Sequence, residues 1–462
     1  MAGGRRSRLL ALAVVAALVA GALAWRLDVL GTRRSPRPNI VLILTDDQRW
    51  DSMGVMPEVR SLLGGHGVTF ANSFVTTSLC CPSRATILTG QYSRHTGVYQ
   101  NTPPHGGATS FRDRSTVATW LHGAGYQTAL VGKYLNEYNR LPTGYVPPGW
   151  DEWDAIAQRR QVQYYNYDLN ENGRIVHFGG KPADYSTDVL AAKATQFALR
   201  APRPFFLYFA PIAPHEAAVP APEDAKAYAN LAPLRPPSYD EPDARDKPWA
   251  AEFPRLSPAA GAEIDLTRTH MLESLRAVDR AVAALVQALQ TRGALGDTVI
   301  LFASDNGFLW GEHRLRGKIW PYEESIRVPL VIRVPWLDRG LVDRHLVTNA
   351  DYASTLADLA GTKPGLPQDG RSLVPLLRGR DPPWPASILV EYLGATGADR
   401  FGPPPFEAIR TERYLYVEYD FGWRELYDLK KDPYELDNLA GQRSTAALEA
   451  RLAAALPGLL GR

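Results

Sequence analysis

The stretch Asn39-Ile-Val-Leu-Ile-Leu-Thr45, followed directly by Asp46-Asp47, decides the fold that we predict for this chain. Its apolar residues run without polar alternation over the length of one strand, which is typical of a strand buried on both faces. Strands of this kind belong to parallel sheets that are covered by helices. The two carboxylates after the strand are either a solvated turn or ligands for a hard cation.

Three further apolar runs of strand length follow along the chain, at residues 126–131, 204–210 and 298–303. Helical patterns separate them, and the clearest of these predicts a helix over residues 267–291. Repeated strand–helix–strand order predicts an α/β fold with a mostly parallel central sheet and helices on both faces. Residues 151–184 show little periodicity, so we interpret them as a long excursion from the sheet.

Polar side chains follow each of these strands closely, namely Asp46-Asp47, Lys133, His215 and Asp305-Asn306. Because the carboxyl ends of parallel strands meet at one edge of the sheet, where open α/β folds bind ligands, we expect these side chains to lie together. Carboxylate and amide oxygens suit a hard cation, and basic side chains suit an anionic group. The residues therefore predict transfer of a phosphoryl or sulfuryl group and do not separate the two.

A second motif is Leu79-Cys-Cys-Pro-Ser-Arg-Ala-Thr-Ile-Leu-Thr-Gly90, which predicts a short helix. Pro82 suits the first helical turn, and Gly90 suits the left-handed position just past the helix end. Cys80 would lie at the helix N-terminus, where unpaired N–H groups and Arg84 favour negative charge. From these residues alone, a reactive cysteine and an ordinary buried cysteine pair are both open.

The pattern Cys80-x-Pro-Ser-Arg84, followed by Thr89-Gly90, resembles the signature of the type I sulfatases of the alkaline phosphatase superfamily. Other matching stretches are Leu44-Thr-Asp-Asp47, Gly132-Lys-Tyr-Leu-Asn136, Ala213-Pro-His215, Ser304-Asp-Asn-Gly307, Gly317-Lys318, Asp369-Gly-Arg-Ser372 and Leu426-Tyr-Asp-Leu-Lys-Lys-Asp-Pro433. The Cys80-Cys81 pair and Tyr185-Ser-Thr-Asp-Val-Leu190 are most similar to the N-acetylglucosamine-6-sulfatase branch. The resemblance implies an alkaline phosphatase-like fold and hydrolysis of sulfate monoesters of carbohydrates or other alkyl sulfates.

In that family a formylglycine-generating enzyme oxidises the motif cysteine to formylglycine, and the resemblance implies the same for Cys80. One hydroxyl of the formylglycine hydrate attacks sulfur, and the other then expels sulfate. The resemblance implies Ca²⁺ ligands at Asp46, Asp47, Cys80, Asp305 and Asn306. It implies that Arg84 and Lys133 hold the nucleophile and that His215 and Lys318 hold the substrate sulfate. Leu135 stands where many sulfatases have a histidine, so the group that assists sulfate release is not identified.

Other functions stay open beside this one. A phosphoesterase or phosphonate hydrolase of the same superfamily has similar site chemistry, and a chain whose Cys80 stays a thiol would be a binding protein without turnover. The expected substrate is a sulfated small molecule or glycan. We expect Trp310, His313 and the long loop 216–258 to shape the substrate pocket.

The two ends of the chain predict separate segments. Residues 5–8 are rich in arginine and precede an apolar run over residues 9–25, which predicts a signal peptide or membrane anchor in residues 1–25. A linker over residues 26–38 would follow. The protein is therefore expected to be secreted or extracytoplasmic at the cell surface, and residues 9–25 could anchor it to the membrane.

Behind the linker, we place a catalytic domain at residues 39–380 and a small subdomain at residues 381–462. Short alternating strands in the latter predict an antiparallel sheet with a closing helix. The composition of the 462-residue chain is that of a globular protein, with a net charge of +2 that gives no reason to expect a nucleic-acid partner. The only 2 cysteines are adjacent, which excludes a disulfide scaffold.

Overall fold

A computed structural model of the chain describes residues 37–157, 163–247, 253–394 and 402–461. The signal peptide or anchor predicted over residues 1–25, and nearly all of the linker predicted over 26–38, lie outside these ranges. Within them, no helix combines the length and the apolar character that crossing a bilayer requires.

The strands and helices have the following bounds. The strands are β1 (Asn39–Thr45), β2 (Gly67–Phe74), β3 (Gln127–Gly132), β4 (Glu152–Ile156), β5 (Tyr167–Glu171), β6 (Arg174–Phe178), β7 (Phe205–Ala210), β8 (Thr298–Ser304), β9 (Leu309–Trp310), β10 (Arg316–Gly317), β11 (Leu330–Arg333), β12 (Leu341–Thr348), β13 (Ser387–Tyr392), β14 (Phe406–Thr411), β15 (Tyr414–Tyr419) and β16 (Arg424–Asp428). The α-helices are α1 (Cys80–Thr89), α2 (Ser93–Thr96), α3 (Val117–Gly123), α4 (Ser186–Arg200), α5 (Pro258–Thr291), α6 (Glu323–Ile326), α7 (Asp351–Leu359), α8 (Val374–Leu377) and α9 (Ala446–Leu459). Short 3₁₀ turns cover Trp50–Val55, Gly64–His66, Tyr138–Arg140, Pro182–Asp184 and Leu295–Asp297, and a π turn covers Val59–Leu63.

The central sheet has ten strands in the order β12-β2-β11-β8-β1-β7-β3-β4-β5-β6. Its middle, from β8 through β1, β7 and β3 to β4, is parallel throughout. Strand β11 pairs antiparallel with both of its neighbours, and β5 and β6 form an antiparallel edge. The predicted mostly parallel α/β sheet is therefore confirmed.

Strand β1 separates two hydrophobic cores. Its residues Ile40, Leu42 and Leu44 belong to a core that includes residues of α1, α3 and α7. Val41 and Ile43 belong to a second core, which includes residues of α4 and α5. All residues of β1 are buried, which explains why its sequence lacks polar alternation.

The stretch 151–184 differs from the prediction, because it contributes strands β4, β5 and β6 rather than an irregular excursion. Asn172 and Gly173 join β5 to β6, and both have positive φ values, of 49° and 97°. Such a pair is the preferred turn of a two-residue β-hairpin. Three of the five residues of strand β6 are exposed and only Val176 and Phe178 are half-buried, so its hydrophobic pattern is weak and the Asn-Gly pair is the clearer signal in the sequence.

Helix α5 begins at Pro258 rather than at the predicted Thr267. The Ser257 side chain caps it by accepting a hydrogen bond from Ala260 N at 3.2 Å, and Pro258 occupies the first turn. Most residues of its first turns are exposed or half-buried, so the helical period of apolar residues starts later than the helix.

Strands β13 to β16 form a separate antiparallel sheet of four strands, as predicted. One face of this small sheet packs in a hydrophobic cluster that includes Phe74 and Tyr322. The other face packs against Leu452 and Leu456 of α9. The boundary that we place at residue 381 stays a prediction.

Candidate active site

The polar residues that follow the central strands lie together at one edge of the sheet. Strands β8, β1, β7 and β3 are neighbours in this order and run parallel, so their carboxyl ends are adjacent. Asp47 N donates a hydrogen bond to Asp305 Oδ1 at 3.1 Å, and Asn306 Nδ2 donates one to Asp47 Oδ1 at 2.7 Å. The residues at the ends of β1 and β8 are thus in direct contact, as the strand order predicts.

Helix α1 presents Cys80 to this edge as its first residue. The helix is buried along its whole length and ends at Gly90, whose φ of 72° is left-handed as expected. Cys80 Sγ lies 3.6 Å from Asp46 Oδ1, whereas Cys81 belongs to the hydrophobic core behind the sheet. Burial raises the pKa of Cys80 to about 12, so the unmodified side chain is a neutral thiol at pH 7.

Two lysines lie among these carboxylates. Lys133 Nζ donates to Asp46 Oδ2 at 2.5 Å. Lys318 Nζ lies 2.8 Å from Cys80 Sγ and also contacts Asp47 Oδ1. Burial by itself would raise the pKa of Asp46, but the surrounding cations, Lys133 foremost, outweigh it and hold this pKa well below its usual value. The site therefore keeps negative charge on Asp46 and positive charge next to Cys80.

Arg84 is completely buried beneath the site and connects two of its sides. Its Nε donates to Asp305 Oδ2 at 2.8 Å, and its Nη1 donates to the backbone oxygen of Lys133 at 3.0 Å. Its Nη2 lies 3.6 Å from Asp46 Oδ2. Burial would lower the pKa of Arg84, but Asp305 and Asp46 raise it above its usual value, so the guanidinium stays charged.

We expect Arg84→Met to lower the free energy of unfolding by about 3–5 kcal/mol, because it leaves buried carboxylates without their partner. Urea denaturation followed by circular dichroism measures this change. Arg245→Met is the matched control, because Arg245 pairs with Asp243 on the exposed surface and should be dispensable. Equal denaturation midpoints for the two variants would contradict the role given to Arg84.

The site also offers two unused oxygen acceptors. Asp47 Oδ2 and Asn306 Oδ1 are buried and have no hydrogen-bond partner, which is costly unless a cation or water satisfies them. Ligand atoms of Asp46, Asp47, Cys80 and His215 lie within 4.8 Å of one another. Hard cations prefer such carboxylate and amide oxygens, so these residues fit a Ca²⁺ ion.

His215 lies on the open side of the site, with 22% of its side chain exposed. Its Nε2 is 3.6 Å from Asp47 Oδ2, and its Nδ1 contacts the backbone oxygen of Glu216. Because a carbonyl oxygen only accepts, Nδ1 carries a proton, and Nε2 is the atom that faces the carboxylates.

A cavity of about 660 Å³ opens beside these groups. Its lining includes Lys133, His215 and Lys318, which were predicted to hold the nucleophile or the substrate, and also Glu137 and Glu216, which were not. Asn136 lines it too and has a buried Oδ1 without a partner. Glu137 and Glu216 have no motif of their own, and only their positions next to Asn136 and His215 could have drawn attention to them.

The expectation for the pocket walls was wrong in part. Neither Trp310 nor His313 lines the cavity, because both are buried elsewhere. The Trp310 indole packs on Met271, and His313 contacts Glu241. Within the described part of the 216–258 stretch, the cavity lining includes Glu216 and Ala217 alone.

Sequence comparisons match this chain to two family models and to several relatives. The family model described as Sulfatase matches residues 38–362, and the model described as N-sulphoglucosamine sulphohydrolase, C-terminal, matches residues 311–460. The N-acetylglucosamine-6-sulfatase of Homo sapiens is 34% identical over 458 residues, which cover 89% of this chain and 82% of that protein. The extracellular sulfatase SULF-1 homolog of Drosophila melanogaster is 36% identical over 380 residues. These cover 78% of this chain, which spans only 33% of that relative.

Solved structures are similar to this chain over nearly its whole length. BT4656 in complex with its substrate D-glucosamine-2-N,6-O-disulfate superposes with a TM-score of 0.79 at 25% identity, covering 91% of this chain and 97% of that one. The phosphonate monoester hydrolase of Agrobacterium radiobacter superposes with a TM-score of 0.75 at 25% identity, covering 92% and 96%. The shared fold therefore extends over nearly the whole chain.

Proposed function

The chain belongs to the sulfatase family, and from this premise we propose that it hydrolyses sulfate monoesters of carbohydrates, with 6-sulfated glucosamines as the first candidates. The observation that carries the proposal is the placement of Cys80. It is the first residue of a buried helix, it lies 3.6 Å from a metal-ligand candidate, Asp46, and it lies 2.8 Å from the Lys318 ammonium. The substrate class is supported by the relatives and neighbours that are named for, or bound to, sulfated glucosamines.

The nucleophile in this proposal is the hydrate of a formylglycine formed from Cys80. One of its hydroxyls would give up its proton and form the new O–S bond, while the ester S–O bond breaks and the departing oxygen takes up a proton to leave as the alcohol. The second hydroxyl would then give up its proton and form the aldehyde C=O as the C–O bond to sulfate breaks, and water would hydrate the aldehyde again. The motif Cys80-x-Pro-Ser-Arg84 and the match to the sulfatase family support this modification.

We propose that Ca²⁺ binds to Asp46, Asp47, Asp305, Asn306 and the converted Cys80. When bound, the ion supplies positive charge that stabilises the nucleophile and the sulfate oxygens. The unpartnered oxygens of Asp47 and Asn306 support this assignment.

The basic residues have separate roles in this proposal. Lys318 and Lys133 line the cavity and hold the substrate sulfate and the nucleophile, respectively. His215 lies at the open side, and as an imidazolium, with protons on both ring nitrogens, it would give its Nε2 proton to the departing alcohol oxygen. Arg84 contacts Asp305 and the Lys133 backbone rather than the cavity, so we assign it a positioning role.

Formation of formylglycine requires a formylglycine-generating enzyme as a partner during maturation. We further propose that the protein is exported, for which the support is the basic and apolar start of the sequence and the extracellular sulfatase among its relatives.

We expect the converted enzyme to prefer an aryl sulfate over its phosphate analogue by more than about tenfold in kcat/KM, or roughly 1.4 kcal/mol in transition-state binding. The physical reason is that collapse of the hydrate to an aldehyde releases sulfate without attack of water on a covalent ester. Steady-state assays of both esters measure this ratio, and 6-sulfated N-acetylglucosamine then tests the sugar.

A second candidate function is phosphonate monoester hydrolysis, which the likeness to the Agrobacterium enzyme favours. An aryl phosphonate monoester therefore belongs in the same assay. Faster turnover of phosphate or phosphonate by protein with converted Cys80 would overturn the sulfatase proposal. Inertness toward the sulfated sugar alone would remove only the proposed sugar.

A further inference from the structure

A second cluster of candidate ligands lies away from the active-site cavity and consists of His313, Glu324 and Glu435. These side chains are buried, with relative exposures of 0%, 7% and 1%, and their ligand atoms lie within 4.8 Å of one another. They come from the segment between β9 and β10, from α6, and from the chain after β16. We infer that this cluster binds one divalent transition-metal ion, with Zn²⁺ as the best fit.

Each of the three residues has one polar atom without a partner. His313 Nε2, Glu324 Oε2 and Glu435 Oε1 are all buried and accept no hydrogen bond. Buried polar atoms in proteins are nearly always satisfied, and an isolated exception costs about 1–3 kcal/mol. Three such atoms in one cluster are explained together if each gives a lone pair to the same cation.

A carboxylate on the far side of the His313 ring determines which ring nitrogen carries the proton. Its Nδ1 lies 2.8 Å from Glu241 Oε2, and Lys247 Nζ donates to the other oxygen of Glu241 at 2.9 Å. A carboxylate only accepts, so Nδ1 carries the proton and Nε2 presents its lone pair to the cluster. Metal-binding histidines commonly have such a carboxylate on the second nitrogen.

The negative charge of Glu324 and Glu435 is a further argument for a bound cation. Among the described residues, neither Glu324 nor Glu435 forms an ion pair. Arg49 and Arg410, which act on the two carboxylates from a distance, form their own ion pairs with other glutamates. Without a cation, the ligand oxygens of these two buried carboxylates would lie within 4.8 Å of each other with no ion-pair partner among the described residues.

The ligand types indicate the metal class. One imidazole nitrogen with two carboxylates suits Zn²⁺ and related ions, whereas the carboxylate and amide oxygens of Asp46, Asp47, Asp305 and Asn306 in the active site suit Ca²⁺. Glu435 follows the small sheet, while His313 and Glu324 belong to the catalytic part of the chain. The ion would therefore connect the small sheet to the segment that leads to Lys318.

Cobalt titration of the full-length chain tests this inference directly. After removal of loosely bound metal, wild-type protein kept in Ca²⁺ should bind one equivalent of Co²⁺, with visible d–d absorption, and Zn²⁺ should displace it. Thermal melting with and without Zn²⁺ gives a second readout, in which the ion should raise the Tm.

Glu435→Gln and Glu324→Gln should each lose the cobalt absorption and the Zn²⁺-dependent rise in Tm. Glu241→Gln should weaken Zn²⁺ binding by about 10–100-fold, because it removes the group that fixes the histidine tautomer. Glu391→Gln is the matched control, since Glu391 is equally buried but is satisfied by Arg94, and this variant should bind Co²⁺ like the wild type.

Two results would overturn the inference. One is a wild-type protein that binds no Co²⁺ or Zn²⁺. The other is unchanged binding in both glutamine variants, which would place the ion elsewhere. Neither result depends on sulfatase activity, so the test is independent of the proposed function.

Discussion

Cys80→Ala should abolish sulfate ester hydrolysis, with an expected loss in kcat of at least about a thousandfold, because it removes the side chain that we propose as the source of the nucleophile. Cys81→Ser keeps most of the activity. The difference follows from the structure, in which Cys80 faces Asp46 and Lys318 while Cys81 packs in the core. Steady-state kinetics on an aryl sulfate measure both variants.

Peptide mass measurement over residues 76–94 tests directly which of the two cysteines is converted. Wild-type protein should show an aldehyde or its hydrate at position 80 and an unmodified thiol at position 81. An aldehyde at Cys81 with Cys80 intact would overturn the assignment, and so would full activity in protein whose Cys80 is still a thiol.

Asp305→Asn should lose calcium and activity together, with activity lowered by at least about a hundredfold. Asp305 Oδ1 accepts from Asp47 N, and its Oδ2 accepts from Arg84 Nε. An amide in its place removes one negative charge and sets an N–H₂ group against a donor on one side. Elemental analysis of purified protein, paired with kinetics, gives the two readouts.

Asp243→Asn is the control for this change, because Asp243 is an exposed carboxylate that pairs with Arg245. It should keep both calcium and activity. Full calcium occupancy in inactive Asp305→Asn protein would contradict the metal assignment. Zinc that disappears in Asp305→Asn would place a transition metal in the active site, whereas zinc that disappears in Glu435→Gln belongs to the second cluster.

The sequence was sufficient for those parts of the fold that depend on burial along one element. The apolar run of β1 has no polar alternation because both of its faces are covered, and this pattern alone indicated a parallel sheet centre. The same logic placed Asp46, Lys133, His215 and Asp305 at one edge, since parallel order fixes where strand ends lie.

Other features depend on contacts between residues that are far apart in the sequence, and no local sequence pattern indicates such contacts. Strand β6 lies at the edge of the sheet and none of its side chains is fully buried, so the alternation between its two faces is weak. Glu137 and Glu216 reach the cavity only because the loops after β3 and β7 fold toward each other. His313 lies beside Glu435, which follows the small sheet, and no local sequence pattern indicates this contact. The prediction that His313 lines the substrate pocket was therefore wrong.

Because Cys80 is completely buried in the folded protein, another enzyme can reach its side chain only before folding is complete. Lys318, which contacts its sulfur, lies 238 residues further along the chain. At translation rates of about 5–20 residues per second, the ribosome needs roughly 10–50 s to travel that distance. If Cys80 is converted to formylglycine as proposed, the oxidising enzyme must reach the thiol before the chain folds around it. Under this proposal, the active fraction would depend on the relative rates of modification and folding. A molecule that folds before it is modified would then stay inactive, whatever its stability.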